Sequence, residues 1–161
     1  MEKSQYISIM IQSLKKKSAV LDTIMELNIQ QKEELENPAL DPDDFDRTVE
    51  KKAEQIQQLE LLDNGFQELY EKVREELQSN REAYREDIAC MQEYIRKLTD
   101  KSATIQAQEV RNKDLMTQKF ASVRKQVKEV RKSQKVVNQY YKSMMKANYM
   151  EAHFTDRKSV V

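Results

Sequence analysis

The sequence is short of the residues that interrupt helices. Its 161 residues include one glycine, two prolines and no tryptophan. A β-rich or α/β chain needs a turn every few residues, and such turns draw heavily on glycine and proline. The abundant residues are Gln, Glu, Lys, Leu, Arg and Met, all of which favour helices. The composition therefore predicts an all-α fold.

Cysteine and long apolar runs are equally scarce. The single Cys90 excludes an intramolecular disulfide framework and suits a reducing compartment. No apolar run approaches the roughly 20 residues of a membrane span. The basic cluster at 15–17 follows the first apolar patch, which is the reverse of a secretory signal. We therefore expect a soluble, cytoplasmic protein that does not insert into membranes.

Residues that could carry catalysis or hold a metal do not converge. The only histidine, His153, lies in the C-terminal tail, and the absence of a Glu-x-x-His motif excludes that type of di-iron bundle site. The stretch "DPDDFD" is rich in carboxylates, but an EF-hand loop needs glycine and glutamate where Asp46 and Lys52 stand. One glycine leaves no phosphate-binding loop. The sequence predicts no enzyme, no cofactor and no metal site.

Apolar residues recur every three or four positions and predict three long helices at about 4–36, 42–78 and 81–148, followed by a short tail. Asp41 is a natural N-cap for helix 2, and Pro42 suits the first helical position. The helix 2 seam keeps its heptad register through "DNG", so we expect a continuous helix there. That seam consists of Phe45, Val49, Ile56, Leu59, Phe66, Tyr70, Val73 and Leu77.

Helix 3 is predicted to outrun its partners. At about 1.5 Å per residue, helix 2 spans about 50–55 Å and helix 3 about 100 Å. If helix 2 folds back at a turn near 79, its start lies opposite about residue 116, so neither helix 1 nor helix 2 reaches 120–148. The apolar seam of helix 3 turns polar at Glu109 and Asn112, close to where its partners end, and then resumes. These lengths favour an elongated antiparallel three-helix bundle with a protruding C-terminal helix. A break near 98–102 or 109–112 would instead fold the last segment back as a fourth bundle helix.

The segment "VVNQYYKSMM" at 136–145 carries three apolar doublets. At about 100° per residue these cover an arc of about 180°, wider than the roughly 100° that packing on one core requires. A wide exposed apolar stripe usually marks a binding surface. A coiled-coil scaffold or a homodimer seam accounts for the same stripe.

Charge is distributed unevenly along a chain that is neutral overall. Residues 1–100 carry 14 Lys and Arg against 23 Asp and Glu, whereas residues 101–161 carry 14 against 5. The two halves either neutralise one another within the bundle or offer a basic surface to an acidic partner. The basic residues at 124–135 alternate with valines, as on an ordinary amphipathic helix, so nucleic acid or an anionic membrane is the weaker alternative.

The pattern resembles flagellar type III export chaperones of the FlgN and FliT type, with FlgN preferred. The similarity rests on "LDTIMELNIQQKEELEN" in helix 1, "VEKKAEQIQQLELLDNGFQELYEKV" in helix 2, "IQAQEVRNKDLM" in helix 3 and the tail "AHFTDRKS". The resemblance implies a chaperone that binds the C-terminal helical segment of a hook–filament junction protein or of the filament cap protein. Such chaperones prevent premature assembly of the cargo and deliver it to the export gate.

The resemblance also assigns residues. The cargo surface would consist of apolar positions on the distal part of helix 3, namely Phe120, Val123, Val127, Val130, Val137, Tyr141 and Met144. A C-terminal tyrosine matters for docking on the export gate in this family, and Tyr140, Tyr141 and Tyr149 are the candidates. The basic second half and the short tail depart from the family pattern, which leaves the choice between the two chaperone types open.

Overall fold

The computed structural model describes residues 2–121 and residue 135. The described chain forms three long helices, α1 (Lys3–Glu36), α2 (Pro42–Ser79) and α3 (Arg85–Phe120), with a 3-10 turn (Arg81–Tyr84) before α3. Residues 2–121 contain no strand. At about 1.5 Å per residue, the 38 residues of α2 span about 57 Å. The predicted all-α, elongated bundle is confirmed.

Local chemistry fixes the junction between α1 and α2. Asn37 ends α1, and its side-chain oxygen accepts a hydrogen bond from the Ala39 backbone at 3.0 Å. The Asp41 carboxylate then accepts the backbone N–H of Asp43 at 2.9 Å, and Pro42 occupies the first position of α2. The cap predicted for helix 2 is therefore present, because a side-chain oxygen satisfies an amide that has no intrahelical partner.

The α2 helix runs without interruption through Gly65, as its unbroken heptad register predicts. A glycine inside a helix costs conformational entropy, and nothing lies within 4 Å of the position that a Cβ would take at Gly65. Neither a turn nor a close backbone approach therefore requires this glycine.

The chain reverses at Asn80, and regular α-helix resumes only at Arg85, a few residues after the predicted start of helix 3 at 81. The Asn80 side chain donates a hydrogen bond to the Glu76 carboxylate at 2.9 Å, and the Tyr84 hydroxyl donates to the same carboxylate oxygen at 3.3 Å. These bonds hold the residues after the turn against the end of α2. A 3-10 turn is a common way to make so tight a connection.

The first helix lies against both others. It is antiparallel to α2, since Lys17 pairs with Asp63 and Gln31 meets Lys52. It is parallel to α3, since Ser18 lies beside Lys101 and the later Asn28 lies beside Asn112. The order along the bundle is therefore up, down, up.

Within residues 2–121, buried apolar side chains form two separate clusters. The main cluster fills the length of the bundle from the Asn80 turn past its middle and consists of Ile7, Met10, Leu14, Leu21, Ile24, Ile56, Leu59, Tyr70, Val73, Leu77, Met91, Ile95, Leu98 and Ile105. The distal cluster lies at the other end, beside the α1–α2 connection, and consists of Leu35, Phe45, Val49, Met116 and Phe120. Buried polar residues separate the two.

Apart from residue 135, the predicted continuation of helix 3 to 148 and the tail after it lie outside the described residues. The two arrangements proposed for that segment, a protruding helix and a fourth bundle helix, therefore stay predictions. The bundle that either would adjoin is the one formed by α1, α2 and α3.

Candidate functional site

Phe120 is the one member of the predicted cargo surface that lies within the described residues, and it is buried. Its side chain is 3% exposed. Its ring packs edge-on against Phe45 of α2, with centroids 5.8 Å apart and planes at 67°. Aromatic pairs in this geometry add about 0.5–1.5 kcal/mol to the stabilisation from burial. In this conformation Phe120 belongs to the bundle, and its place in a cargo surface stays a prediction.

The expectation that helices 1 and 2 end short of residue 120 is wrong by about one turn. The connection between α1 and α2 extends the bundle, and the Lys119 ammonium donates to the Asn37 carbonyl there at 2.6 Å. Helix lengths alone do not include this connection, so the sequence underestimated the reach of the bundle. The remaining candidates lie outside the described residues. For the cargo surface these are Val123, Val127, Val130, Val137, Tyr141 and Met144, and for docking they are Tyr140, Tyr141 and Tyr149.

Directly beneath the distal cluster, the bundle buries an ion pair. The Lys52 ammonium of α2 lies 2.5 Å from the Glu109 carboxylate of α3, and the two side chains are 1% and 0% exposed. Lys52 also donates to the side-chain oxygen of Gln31 at 3.3 Å, so this ammonium joins all three helices. Burial lowers the pKa of Lys52 below its ordinary 10.5, and the Glu109 carboxylate opposes part of that shift.

Three amides surround this pair, and together they form the polar layer: Asn28, Gln31, Lys52, Glu109 and Asn112. The Asn112 amide donates to the Asn28 carbonyl at 2.9 Å and to the Gln31 side-chain oxygen at 3.2 Å. Among residues 2–121, four buried polar atoms of the layer find no hydrogen-bond partner: Glu109 Oε1, Glu109 Oε2, Asn28 Oδ1 and Gln31 Nε2. Only the first of these is held by the ion pair with Lys52. An unsatisfied buried polar group costs about 1–3 kcal/mol. The layer therefore contributes little net stability.

A second buried pair lies inside the main cluster. The Lys17 ammonium of α1 is 3.0 Å from the Asp63 carboxylate of α2, and the two side chains are 5% and 10% exposed. Apolar residues of the main cluster flank this pair on both sides along the bundle. It therefore does not divide the core as the polar layer does.

Sequence reasoning missed both ion pairs. Lys52 and Asp63 occupy seam positions of helix 2 between apolar neighbours, whereas the only polar seam positions predicted above were Glu109 and Asn112 of helix 3. The available signal was the presence of opposite charges at seam positions of different helices, Lys17 with Asp63 and Lys52 with Glu109. Pairing these charges requires the helix register, which the sequence does not give directly.

Potential metal ligands do not come together in the part of the chain that the structure describes. Within residues 2–121 no three His, Cys, Asp or Glu side chains are grouped so as to hold a metal ion. Cys90 is a half-buried free thiol next to the seam residue Met91, and His153 lies outside the described residues. No helix in this part of the chain is both long enough and apolar enough to cross a membrane.

Comparison with known protein families adds one finding. A family model described as FlgN protein matches residues 1–148, which includes all three described helices and most of the chain beyond them. Comparisons with curated proteins and with solved structures found no match to this chain.

Proposed function

This chain belongs to the FlgN family of flagellar export chaperones, and we propose that it binds the C-terminal helical segment of a hook–filament junction protein. In this proposal the bound cargo cannot assemble prematurely and is delivered to the export gate. The family match supports the preference for a junction protein over the filament cap protein, which is the cargo of FliT-type chaperones.

The observation that carries the proposal is the extent of the family match. The match continues 28 residues past the end of α3 at Phe120 and ends at 148. It therefore includes "VVNQYYKSMM" and all of the proposed cargo surface: Phe120, Val123, Val127, Val130, Val137, Tyr141 and Met144. An amphipathic cargo helix would pack its apolar face on this stripe, the usual mode of helix-in-groove recognition.

Charge supports a division of roles between the bundle and the C-terminal segment. Residues 2–121 carry 18 Lys and Arg against 25 Asp and Glu, whereas residues 122–148 carry eight against one. A basic rim around an apolar stripe favours cargo helices whose polar face is acidic and raises the rate of encounter with them. The apolar stripe then supplies most of the affinity.

The proposal also includes docking on the export gate. Tyr140 and Tyr141 lie within the matched residues, and Tyr149 lies just beyond them. We assign gate docking to this group of tyrosines because of the family resemblance. Separate phenylalanine substitutions, which remove only the hydroxyl, should identify the member that docking requires without weakening cargo binding.

The test is calorimetric titration of the full chain with a peptide from the C-terminus of a junction protein. Val137→Asp combined with Met144→Asp should abolish binding, because two charges would enter the apolar contact. The matched control, Gln139→Asp with Ser143→Asp, adds the same two charges on the polar side of a helical projection. It should bind within a few-fold of the unchanged chain.

The melting temperature of the variants and the salt dependence of binding provide two further tests of the proposal. If 122–148 packs on no other part of the chain, the apolar-face variant should melt within a few degrees of the unchanged chain. A fold-back into a fourth helix would instead cost several kcal/mol. Tight oligonucleotide binding with a steep salt dependence, together with no binding of the junction peptide, would contradict the proposal.

A further inference from the structure

The polar layer divides the hydrophobic core of the bundle into unequal parts. The distal cluster has five buried apolar side chains, and the main cluster has fourteen. Apolar burial stabilises in rough proportion to the area removed from water. The distal end is therefore stabilised by only about a third as many buried apolar side chains as the rest of the bundle.

The layer also couples the two parts weakly. The desolvation of a buried ion pair offsets most of its attraction, so the pair between Lys52 and Glu109 adds little net stability. The second Glu109 oxygen and the Asn28 side-chain oxygen lack partners among residues 2–121, which favours their hydration. Water entering at this level would satisfy these atoms. The layer is therefore the place where separation costs least.

We propose that residues 31–49 and 112–120 form a unit that opens without unfolding the rest of the bundle. Its lower boundary is the polar layer, and its apolar content is the distal cluster. Local opening along such boundaries is common in helical proteins, because contiguous segments with little buried apolar surface unfold at low free energy. The main cluster, which is continuous past the Lys17–Asp63 pair, would stay closed.

Opening has a consequence for cargo, and this part rests on the proposed function. In the closed bundle Phe45 covers Phe120, and Met116 is fully buried. In the open unit both α3 side chains become accessible, Phe120 as the first member of the proposed cargo surface and Met116 one turn before it. The distal unit thereby acts as a shutter that uncovers Phe120 and adds Met116 to the cargo contact.

The opposite end of the bundle provides an internal comparison. There Ile7, Val73 and Leu77 belong to the main cluster, and no polar layer separates them from its centre. The Lys3–Glu76 pair at 3.6 Å and the Tyr84 hydrogen bond to Glu76 close this end. Ordinary fraying would affect both ends alike, whereas the proposed unit opens at the distal end alone.

The test is native-state hydrogen exchange on the full chain, read by mass spectrometry at low denaturant. Amides of 112–118 in α3 should exchange at least tenfold faster than amides of 93–105, with a weaker dependence on denaturant. Amides of α2 near 73–77 should follow the slow group. Equal exchange of 112–118 and 93–105 in the unchanged chain would overturn the proposal, whether or not any variant folds.

A pair of double variants tests the cause. Lys52→Met with Glu109→Leu fuses the two clusters and should slow distal exchange severalfold or more relative to 93–105. Lys17→Met with Asp63→Leu removes the other buried pair but leaves the polar layer, so the ratio should stay unchanged. Equal changes in that ratio for both double variants would show that the polar layer has no special role.

Cargo titration on the same proteins separates the two proposals. If opening assists binding, the Lys52→Met and Glu109→Leu variant should bind the junction peptide severalfold more weakly than the Lys17→Met and Asp63→Leu variant. Equal affinities with the predicted exchange pattern would overturn the shutter role and leave the opening unit intact. If the unchanged chain does not bind the junction peptide, the proposed function is refuted. The hydrogen-exchange test of the opening unit stands independently of that result.

Discussion

Replacing Glu109 by leucine should leave Lys52 buried without its counter-ion. Breaking a buried pair in this way typically costs about 3–5 kcal/mol, a large share of the roughly 5–15 kcal/mol that stabilises most domains. Lys52 can avoid this penalty by losing its proton. The free energy of that deprotonation is therefore the upper limit of the stability loss. Deprotonation at pH 7, about 3.5 units below its ordinary pKa of 10.5, costs about 5 kcal/mol.

This upper limit of the stability loss falls as the pH rises. At pH 9 deprotonation of Lys52 costs about 2 kcal/mol, so the destabilisation caused by Glu109→Leu should shrink to about that value. The sign follows from proton counting. Once the pH exceeds the lowered pKa of Lys52 in the folded variant, that variant holds Lys52 neutral while the unfolded chain holds it charged, so the free energy of unfolding rises with pH until about 10.5.

Urea unfolding at pH 7 and pH 9, followed by circular dichroism, measures both values. Adding Lys52→Met to Glu109→Leu should restore stability to at least that of the unchanged chain, because no charge then remains buried in the polar layer. Glu93→Leu is the control, since Glu93 pairs with Arg96 on the surface and should matter by less than about 1 kcal/mol. A stability loss for Glu109→Leu that is the same at both pH values would refute the reasoning.

Three further predictions concern the frame of the bundle and are measured by thermal and urea melts. Gly65→Ala should stabilise by about 0.5–1 kcal/mol, because the helix is regular there and the added methyl meets no atom within 4 Å; a loss of stability would contradict the open surroundings. Asp41→Ala should cost about 1 kcal/mol by removing the bond to the Asp43 amide, and an unchanged midpoint would mean that this cap is dispensable. Ile56→Asp or Ile95→Asp should abolish cooperative melting, since each places a charge in the main cluster; wild-type melting in both would mean that the seam is misassigned.

The sequence predicted those features of the fold that depend on local chemistry and period. Asp41 and Pro42 mark the start of α2 without reference to any other part of the chain. The heptad register correctly overrode the turn signal at Gly65, because a turn would have shifted the phase of the following apolar residues. The apolar positions of the main cluster follow from the same period.

The features that the sequence did not give depend on how the helices lie against one another. Lys52 pairs with Glu109 only because the register of α2 and α3 places them at the same level. Phe120 is buried because the packed register brings Phe45 in the first turn of α2 against it, and the α1–α2 connection contacts the neighbouring Lys119. The role proposed for residues 122–148 rests on the family resemblance and not on contacts between helices.

The most direct test of the central claim is to locate the cargo on the chaperone by photo-crosslinking. One protein carries benzoyl-phenylalanine in place of Val137, and a second carries it in place of Leu61, which is 67% exposed on α2. We predict that the junction peptide crosslinks to position 137, that unlabelled peptide competes this product away, and that position 61 yields none. Specific crosslinking at position 61 with none at 137 would contradict the claim that this chaperone binds cargo through its C-terminal segment.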